Sequence, residues 1–304
     1  MADFVAGSVT VRAPATSANL GPGFDSLALC LDLADVVTAE VTRAGTEVVI
    51  VGEGAAELPS DDTNLVVKAI RGALDSRQVP QPGLRLTCRN AIPQGRGLGS
   101  SAAAIVAGLR LAESLVGGIA VGDEEALAAA TALEGHVDNV AACLLGGLVV
   151  AWTEQGGPRA VRLDVDRTVI PVVFCAPDPL GTPLTRSLLP SVVPHAAAAA
   201  NSARAALLVV ALTARPDLLL SATVEYLHQE ARRHVMPASM RLVETLRRLG
   251  VAAVISGAGP SVLALCTGRQ VDEAVRQAPP GWRPIRLAVD VRGAGTERAD
   301  PGRE

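Results

Sequence analysis

Hydrophobic and polar residues alternate with a period of two in several stretches of the N-terminal part of the chain, and this period predicts β-strands. The predicted strands cover residues 9–13, 36–42, 47–51 and 84–88. Pro14 ends the first strand, and Gly45 lies between the second and third, which predicts that those two form a hairpin. Apolar residues recur at helical spacing over residues 63–74 and again in a long helix of small residues that follows Gly99 and stops at Gly117.

The rest of the chain mixes predicted strands and helices. The strands cover residues 148–152, 160–163, 169–175, 252–256, 262–266 and 285–291, and the helices cover 124–133, 137–145, 196–214, 218–234 and 238–249. Because the elements do not follow strict β-α-β alternation, the order indicates an α+β fold and not a doubly wound parallel sheet.

The length of 304 residues is enough for two domains. Gly156, Gly157 and Pro158 form the clearest break between predicted elements. We therefore predict an N-terminal domain at 1–155, a C-terminal domain at 156–292 and a flexible tail at 293–304.

Composition excludes several classes of protein. Hydrophobic residues make up 49% of the chain and charged residues 19%, which excludes a disordered chain. Aromatic residues make up only 2%, and the net charge is −4, so binding of nucleic acid by base stacking or by a basic surface is not expected. Of the 27 basic residues only Lys68 is a lysine, and the lysine motif of P-loop proteins is missing. Any phosphate must therefore be bound by backbone amides, helix ends and arginines.

Cysteine use and hydropathy give a predicted location. The five cysteines are far apart in sequence, without a C-x-x-C pair, which is typical of a reducing cytosol and not of a disulfide framework or a zinc site. The N-terminus lacks the basic residues of a signal peptide, and the longest uncharged apolar stretch, 140–152, is too short to cross a bilayer. We expect a cytoplasmic protein with no membrane partner.

A glycine-rich segment opens the long small-residue helix. It covers residues 93–104 and has the sequence PQGRGLGSSAAA. Glycines allow a ligand to approach the backbone, and a helix N-terminus binds phosphate, although a plain glycine turn with a serine cap would look the same. The string resembles the ATP-binding motif of the GHMP kinases. That resemblance implies an ATP site formed by Pro93, Gly95, Gly97, Leu98, Gly99, Ser100, Ser101 and Ala102, with Asn64 near the adenine.

A second polar loop follows the first strand and contains the string PATSANLGPGFDSLA. From the residues alone, Asn19 and Asp25 could simply cap the backbone of a turn. The string resembles the opening signature of the homoserine kinase branch of the GHMP kinases, and this resemblance implies that Asn19 and Asp25 line the amino-acid pocket.

A third cluster, EGHVDN, covers residues 134–139 beside an apolar helix. Without further information these residues could be helix caps and solvated side chains. The cluster also resembles the homoserine kinase pattern, which implies that Glu134 binds Mg²⁺ together with Ser101 and that His136 lines the substrate pocket. Asp138 and Asn139 are then implied to lie beside the reacting hydroxyl. Ala142 departs from the family pattern, which has proline there, and we expect this to alter packing only.

Two segments of the C-terminal part complete the resemblance. The loop ISGAGPS at 255–261 could be a bare hairpin, but it is similar to the third motif of the superfamily, which implies that Gly257 and Gly259 approach the ligands. Thr182, Arg186 and Arg232 match positions that grip substrate, although the neighbouring Arg233 leaves a shift by one residue open. His195, His228 and His234 are interpreted as surface or packing residues.

The resemblance covers residues 9–291 and implies both a fold and a function. The fold is two α+β domains, the first like ribosomal protein S5 domain 2 and the second ferredoxin-like. The function is ATP- and Mg²⁺-dependent phosphorylation of L-homoserine to O-phospho-L-homoserine in threonine biosynthesis. An acceptor of the mevalonate type and a non-catalytic metabolite sensor are the alternatives. The sequence does not determine the oligomeric state, and a homodimer is one option.

The same resemblance implies how the hydroxyl is activated. In the homoserine branch an asparagine, here Asn139, holds the hydroxyl without a dedicated base, whereas mevalonate-type relatives place an aspartate there, for which Asp138 is the candidate. The carboxylate and ammonium groups of an amino acid need a cation and an acid, which Arg186, Arg232 and Asp25 would supply. We expect Asp138→Asn to lower kcat less than about 100-fold and Asn139→Leu to lower it more.

Overall fold

The protein, described here as a computed structural model, is built on two β-sheets. The structure describes residues 4–117 and 122–297. The strands are β1 (Ser8–Ala18), β2 (Leu27–Thr42), β3 (Thr46–Gly52), β4 (Gly83–Asn90), β5 (Leu148–Glu154), β6 (Gly157–Leu163), β7 (Val169–Cys175), β8 (Ala252–Ile255), β9 (Val262–Thr267), β10 (Arg283–Arg286) and β11 (Gly295–Glu297). The helices are α1 (Leu65–Ser76), α2 (Ser100–Leu115), α3 (Asp123–Glu134), α4 (Val137–Leu145), α5 (Thr182–Ser187), α6 (His195–Thr213), α7 (Leu219–Ala222), α8 (Pro237–Arg248) and α9 (Gln270–Val275).

The first sheet has seven strands. Its main path is β11-β1-β2-β4-β3, and β5 pairs with both β2 and β6. Helices α1, α2 and α4 cover this sheet with a largely aliphatic core. Gly108 allows α2 to lie against α1, because a Cβ there would be 2.5 Å from the Cβ of Ala69. The small residues predicted for this helix therefore set a close helix–helix distance.

The second sheet has four antiparallel strands in the order β10-β7-β9-β8. Counted along the chain within this domain, the order is 4-1-3-2, with helices in the crossovers before β8 and before β10. This is the ferredoxin-like arrangement that the sequence resemblance implied. Helices α8 and α9 cover one face and enclose a second hydrophobic core.

The predicted hairpin at Gly45 is wrong. Strand β4 lies between β2 and β3, antiparallel to β2 and parallel to β3. Periodicity identified the strands, but a period of two carries no information about which strand is the neighbour.

The predicted domain division also differs from the structure. Residues 155 and 156 form the turn of the β5–β6 hairpin, which belongs to the first sheet. The chain passes to the second sheet between β6 and β7, because β7 is the first strand of that sheet. A glycine-rich hairpin turn and a domain linker have the same composition, so the sequence could not separate them.

The C-terminal residues return to the first sheet. The predicted strand at 285–291 is shorter, β10, and residue Val289 then forms a bridge with Leu31 of β2. Strand β11 pairs with the edge of β1, so part of the predicted flexible tail at 293–304 is ordered. Residues 298–304 lie outside the described residues.

Helix α6 is, among the described helices, the one long and apolar enough to cross a membrane by length and composition. Its residues make tertiary contacts, however. Leu208 and Leu212 lie in the first core, Asn201 donates to the carbonyl of Pro22, and Arg204 donates to Ser221.

Candidate active site

Residues from both domains line one cavity of about 310 Å³. They come from the loop after β1, the glycine-rich loop before α2, the end of α3, the start of α4, helix α5, the helical turn at Glu230–Arg232 and the β8–β9 loop. The lining residues are Ala18, Asn19, Phe24, Asp25, Gln94, Gly95, Arg96, Gly97, Gly99, Ser100, Ser101, Glu134, His136, Asp138, Asn139, Thr182, Arg186, Arg232, Gly257 and Ala258. The structure thus brings together polar residues that are far apart in the sequence, up to the 213 positions between Asn19 and Arg232.

The glycine-rich loop presents the N-terminus of α2 to this cavity. Gly95, Gly97 and Gly99 have φ angles of 64°, 72° and 68°, a region that glycine enters at little cost. Gly99 is the N-cap of α2, and no side chain caps that helix end. The first amides of a helix lack intrahelical acceptors and carry a partial positive charge, so this end is suited to bind phosphate oxygens.

Gly97 and Gly99 also allow close packing of the loop against its neighbours. A Cβ on Gly97 would lie 2.1 Å from the carbonyl oxygen of Ser256, and one on Gly99 would lie 2.0 Å from Oγ1 of Thr16. A side chain at position 99 would therefore point into the protein, towards Thr16 and Asn139, and not into the cavity.

A second, mainly apolar cavity of about 250 Å³ adjoins the first one. Both are lined by Gln94, Ser100 and Ser101, so they meet at the start of α2. Asn64 lines the second cavity, but its side chain is engaged in capping: its Oδ1 accepts from the amide of Val66, and its Nδ2 donates to the carbonyl of Pro59. Asn64 therefore shapes this cavity as the N-cap of α1.

Ser101 and Glu134 form a pair of oxygen ligands beside the helix end. The Ser101 hydroxyl donates to Oε1 of Glu134 at 2.7 Å. Burial raises the pKa of Glu134, and the hydrogen bond from Ser101 partly offsets this. Within the described ranges, 4–117 and 122–297, no group of three His, Cys, Asp or Glu side chains is placed to hold a metal. A serine and a carboxylate suit Mg²⁺, which uses few protein ligands and completes its shell with water and phosphate oxygens.

Asp138 and Asn139 lie at the first turn of α4. Asp138 is 3% exposed, and burial raises its pKa to about 6, although its Oδ1 accepts from the amide of Asn139 at 2.7 Å. The Oδ1 of Asn139 accepts from the hydroxyl of Thr16 at 2.7 Å. Because Thr16 occupies that oxygen, the NH₂ group is the part of Asn139 that remains for a ligand.

The loop after β1 is held in an unusual conformation. Asn19, Leu20 and Asp25 have φ angles of 68°, 48° and 54°, where non-glycine residues are uncommon. The Asn19 side chain stabilises this loop, since its Nδ2 donates to the carbonyl of Gly257 and its Oδ1 accepts from the amide of Asp25. Asn19 thus lines the cavity mainly as a fixed part of its wall.

Asp25 and Arg186 form a bidentate ion pair, with nitrogen–oxygen distances of 2.8 and 3.1 Å. The guanidinium group of Arg186 also lies over the ring of Phe24, 5.6 Å from its centroid. His136 lies nearby, and burial together with the positive charge of Arg186 lowers its pKa. The two groups expected to bind opposite ends of an amino acid are therefore paired with each other in the structure.

Arg232 is placed differently. It is 2% exposed and lines the cavity, and no carboxylate of the described residues lies within 4 Å of it. Its Nε donates to the carbonyl of Thr185, and it faces Phe24 at 5.8 Å. Arg233 instead pairs with Glu230 and Glu244 and does not line the cavity, so Arg232 is the arginine of the two that faces it.

Some predicted residues do not line either cavity. Pro93, Leu98, Ala102 and Gly259 are buried behind the surface that the cavities present. Gly259 has a φ angle of 87°, which favours glycine, and its neighbour Ala258 lines the cavity instead.

Sequence reasoning missed Phe24, Gln94 and Arg96. Phe24 could have been noticed as one of few aromatic residues, inside a polar loop. Arg96 lies within the glycine-rich motif, and it donates to the carbonyls of Gln94, Ala176 and Pro177 at 2.6 to 2.9 Å. It joins the glycine-rich loop of one domain to the end of β7 in the other, a contact that no sequence pattern indicates.

Comparison with known proteins gives two matching family models. The model of the GHMP kinases N terminal domain matches residues 64–147, and the model of the GHMP kinases C terminal region matches residues 208–280. The chain is 52% identical to the homoserine kinase of Streptomyces avermitilis over 293 residues, which cover 96% of each chain. It is 51% identical to the homoserine kinase of Streptomyces coelicolor, over 96% of this chain and 95% of that one.

Solved structures are similar over nearly the whole chain. Homoserine kinase from Cytophaga hutchinsonii has a TM-score of 0.85 and 26% identity, covering 97% of this chain and 99% of that one. Mevalonate kinase of L. major, solved with R-mevalonate, has a TM-score of 0.72 at 17% identity and covers 96% of this chain and 100% of that one, which shows a shared fold alone. The two-domain GHMP kinase fold expected from the sequence is thereby confirmed.

Proposed function

This chain belongs to the homoserine kinases of the GHMP kinase family, and we propose that it transfers the γ-phosphoryl group of ATP to the side-chain hydroxyl of L-homoserine. The products are O-phospho-L-homoserine and ADP. The cavity at the start of α2 is the site of this transfer, and its residues divide into a phosphate end, a hydroxyl-binding centre and an amino-acid end.

The amino-acid end carries the proposal. Arg232 is a buried cation whose contacts are neutral, and a buried charge without a counter-ion is costly unless a ligand supplies one. The α-carboxylate of homoserine supplies that negative charge. Asp25, which lines the same cavity and has 41% of its side chain exposed, accepts the α-ammonium while it remains paired with Arg186.

The phosphate end follows from the glycine-rich loop. The adenine occupies the apolar cavity beside Asn64, and the phosphates extend along the uncapped start of α2 towards the amino-acid end. Gln94, Ser100 and Ser101, which line both cavities, lie along this path. Ser101 and Glu134 would hold Mg²⁺, which neutralises charge on the β- and γ-phosphate oxygens when it is bound.

The chemistry between these ends is a direct transfer. The homoserine oxygen forms a bond to the γ-phosphorus while the bond from that phosphorus to the bridging oxygen of ADP breaks. Asn139 donates from its NH₂ group to the attacking oxygen and thereby fixes its direction. Arg186 is positively charged and borders the same cavity, so it stabilises the negative charge of the transferred group.

Asp138 also lines the cavity, but its environment does not suit an obligatory general base. Its Oδ1 already accepts from the amide of Asn139, and burial favours its protonated form below about pH 6. In a loose transition state little oxygen–phosphorus bond has formed, so the hydroxyl proton is lost late. Asp138 therefore fixes Asn139, and the proton passes to the phosphoryl oxygens or to water.

An ADP-release assay tests the proposal with four acceptors: L-homoserine, mevalonate, galactose and shikimate. We expect turnover with L-homoserine alone. Turnover only with an alcohol that is not an amino acid would refute the amino-acid end. No ADP release with any acceptor, in a protein that still binds ATP, would indicate a metabolite sensor. A cytoplasmic location and a homodimer remain proposals that fractionation and sedimentation can test.

A further inference from the structure

His228 contacts Arg232 and does not itself line the cavity. It is 1% exposed, and its ring stacks on Phe24 with centroids 5.0 Å apart. Its Nδ1 lies 3.1 Å from Nη1 of Arg232, and its Nε2 lies 2.9 Å from the carbonyl oxygen of Gly21. An arginine has only donors and a carbonyl only accepts, so the pair of contacts requires a neutral ring with the proton on Nε2.

We propose that His228 is a positioning residue that holds Arg232 at the substrate carboxylate by accepting a hydrogen bond through its unprotonated Nδ1. The inference rests on the proposed function, in which Arg232 binds that carboxylate. The Arg232 guanidinium has two fixed acceptors among the described residues, the carbonyl of Thr185 at Nε and the ring of His228 at Nη1. These two acceptors fix the plane of the guanidinium, which leaves its remaining donors for a ligand in the cavity.

Burial of the ring favours its neutral state. Burial lowers the pKa of His228, and the positive charge of Arg232 adds to this effect. Glu225, 3.7 Å from Nε2, and Asp25 act in the opposite direction. The carboxylate of Glu225 is already occupied by the amides of Leu227, His228 and Gln229, and so it stabilises the loop more than it stabilises an imidazolium.

The backbone around His228 is shaped for this contact. A continuous helix was predicted over residues 218–234, but α7 ends at Ala222 and the next helical turn begins at Glu230. Between them the amides that a helix would satisfy internally donate to the side chains of Glu225 and Asn201. Because the helix is interrupted here, His228 lies between Gly21 and Arg232 and contacts both.

Two substitutions separate the two hydrogen bonds of the ring. His228→Asn keeps an acceptor at the position of Nδ1 and loses the donor to Gly21, whereas His228→Gln keeps a donor at the position of Nε2 and loses the acceptor for Arg232. Each variant loses one hydrogen bond and the stacked ring, so a merely structural role predicts similar losses for both. His234→Gln, at an exposed histidine, is the control for histidine replacement.

The assay compares L-homoserine with 3-amino-1-propanol, which has the same hydroxyl and ammonium groups but no carboxylate. We expect His228→Gln to raise KM for homoserine by about 10-fold to 100-fold, the range for a lost hydrogen bond to a charged group, with kcat and the KM for ATP little changed. The KM of His228→Asn for homoserine should stay within about threefold of the wild-type value, which is close to the deviation from additivity seen for independent substitutions. The KM for the analogue, or its inhibition constant against homoserine, should change little and equally in both variants.

The outcomes separate this inference from the function on which it rests. Equal losses in the Asn and Gln variants, or equal losses on homoserine and the analogue, overturn the positioning role. If Arg232→Leu itself affects both compounds equally, the carboxylate assignment in the proposed function fails. A measurement on the wild type avoids any folding defect: ¹⁵N NMR of the His228 ring should show the Nε2–H tautomer at pH 7, and an imidazolium or an Nδ1–H tautomer would overturn the inference.

Discussion

Thr16→Val tests how the side-chain amide of Asn139 is held in place. Thr16 is fully buried on β1, and its hydroxyl is the donor to Oδ1 of Asn139 at 2.7 Å. Valine has nearly the same shape and favours strands, so the substitution removes this donor with little change in packing. The amide oxygen of Asn139 is then left without its donor, and the amide can rotate so that its oxygen faces the substrate hydroxyl.

The size of the effect follows from this single hydrogen bond. A buried polar group that loses its partner costs about 1–3 kcal/mol. If the full cost appears in the transition state, kcat falls by about 5-fold to 150-fold. If the cost is instead the same in the ground state and the transition state, the free energy of unfolding falls by that amount while kcat stays unchanged. Measuring kcat at saturating substrates together with the free energy of urea unfolding separates the two cases.

Two controls sharpen the test. Thr16→Ser keeps the hydroxyl and should keep most of kcat. Thr10→Val lies on the same strand and also removes a hydroxyl contact, the part-buried one to Thr38 at 2.9 Å, but position 10 does not line the cavity, so kcat should stay unchanged. An unchanged kcat in Thr16→Val, or an equally large loss in Thr16→Ser, would refute the idea that this hydroxyl orients Asn139.

Further predictions concern the charged and polar groups of the cavity. Asn139→Leu should lower kcat more than Asp138→Asn does, and Asp138→Asn should lower it less than about 100-fold. If Asp138→Asn instead lowers kcat several thousand-fold and removes a limb of the pH profile of kcat, Asp138 is a general base. Asp138 has a pKa of about 6 in place of 3.8, so the folded state binds this proton more tightly, and stability from this group falls as pH rises from about 4 to above 6. Asp138→Asn should therefore gain up to about 3 kcal/mol in unfolding free energy over wild type at pH 8 relative to pH 4, and a constant difference would contradict the burial effect. Arg186→Leu removes the counter-ion of Asp25, so it should lower kcat/KM for both homoserine and 3-amino-1-propanol. If kcat/KM falls for homoserine alone, Arg186 must separate from Asp25 and bind the substrate carboxylate. Glu134→Gln should raise the Mg²⁺ concentration needed for half-maximal rate without changing the KM for homoserine, and an unchanged Mg²⁺ requirement would exclude Glu134 as a ligand.

Local patterns predicted most elements because they depend on neighbouring residues. The alternation around Val9 and Val11 and the helical spacing after Gly99 both correspond to elements of the structure, β1 and α2. The predicted helix over residues 218–234 failed because its apolar spacing was outweighed by Glu225, whose carboxylate accepts from amides that a helix would have used. Apolar spacing describes which face is buried, but not which acceptor each amide finds.

The functional segments were also visible in the sequence, since each is a short string of unusual composition. The glycine-rich loop, the loop with Asn19 and the cluster ending at Asn139 all reach one cavity. Their detailed roles were not visible. Asn19 uses both ends of its amide on the backbone, and His228, interpreted from the sequence as a surface or packing residue, contacts the buried Arg232.

By itself, the sequence therefore determined that the chain is an α+β protein with a glycine-rich loop at the start of a long helix and polar loops beside it. These properties follow from periodicity and from residue types that act over a few positions. The tertiary structure decided which groups meet: β4 between β2 and β3, Asp25 with Arg186, Thr16 with Asn139, and His228 with Arg232. Asp25 and Arg186 are 161 positions apart, and Thr16 and Asn139 are 123 positions apart. Strands β3 and β4 pair across 38 positions, and His228 meets Arg232 across an irregular turn. The distances and burial that set charge and hydrogen bonding between such partners exist only once the two sheets have packed together.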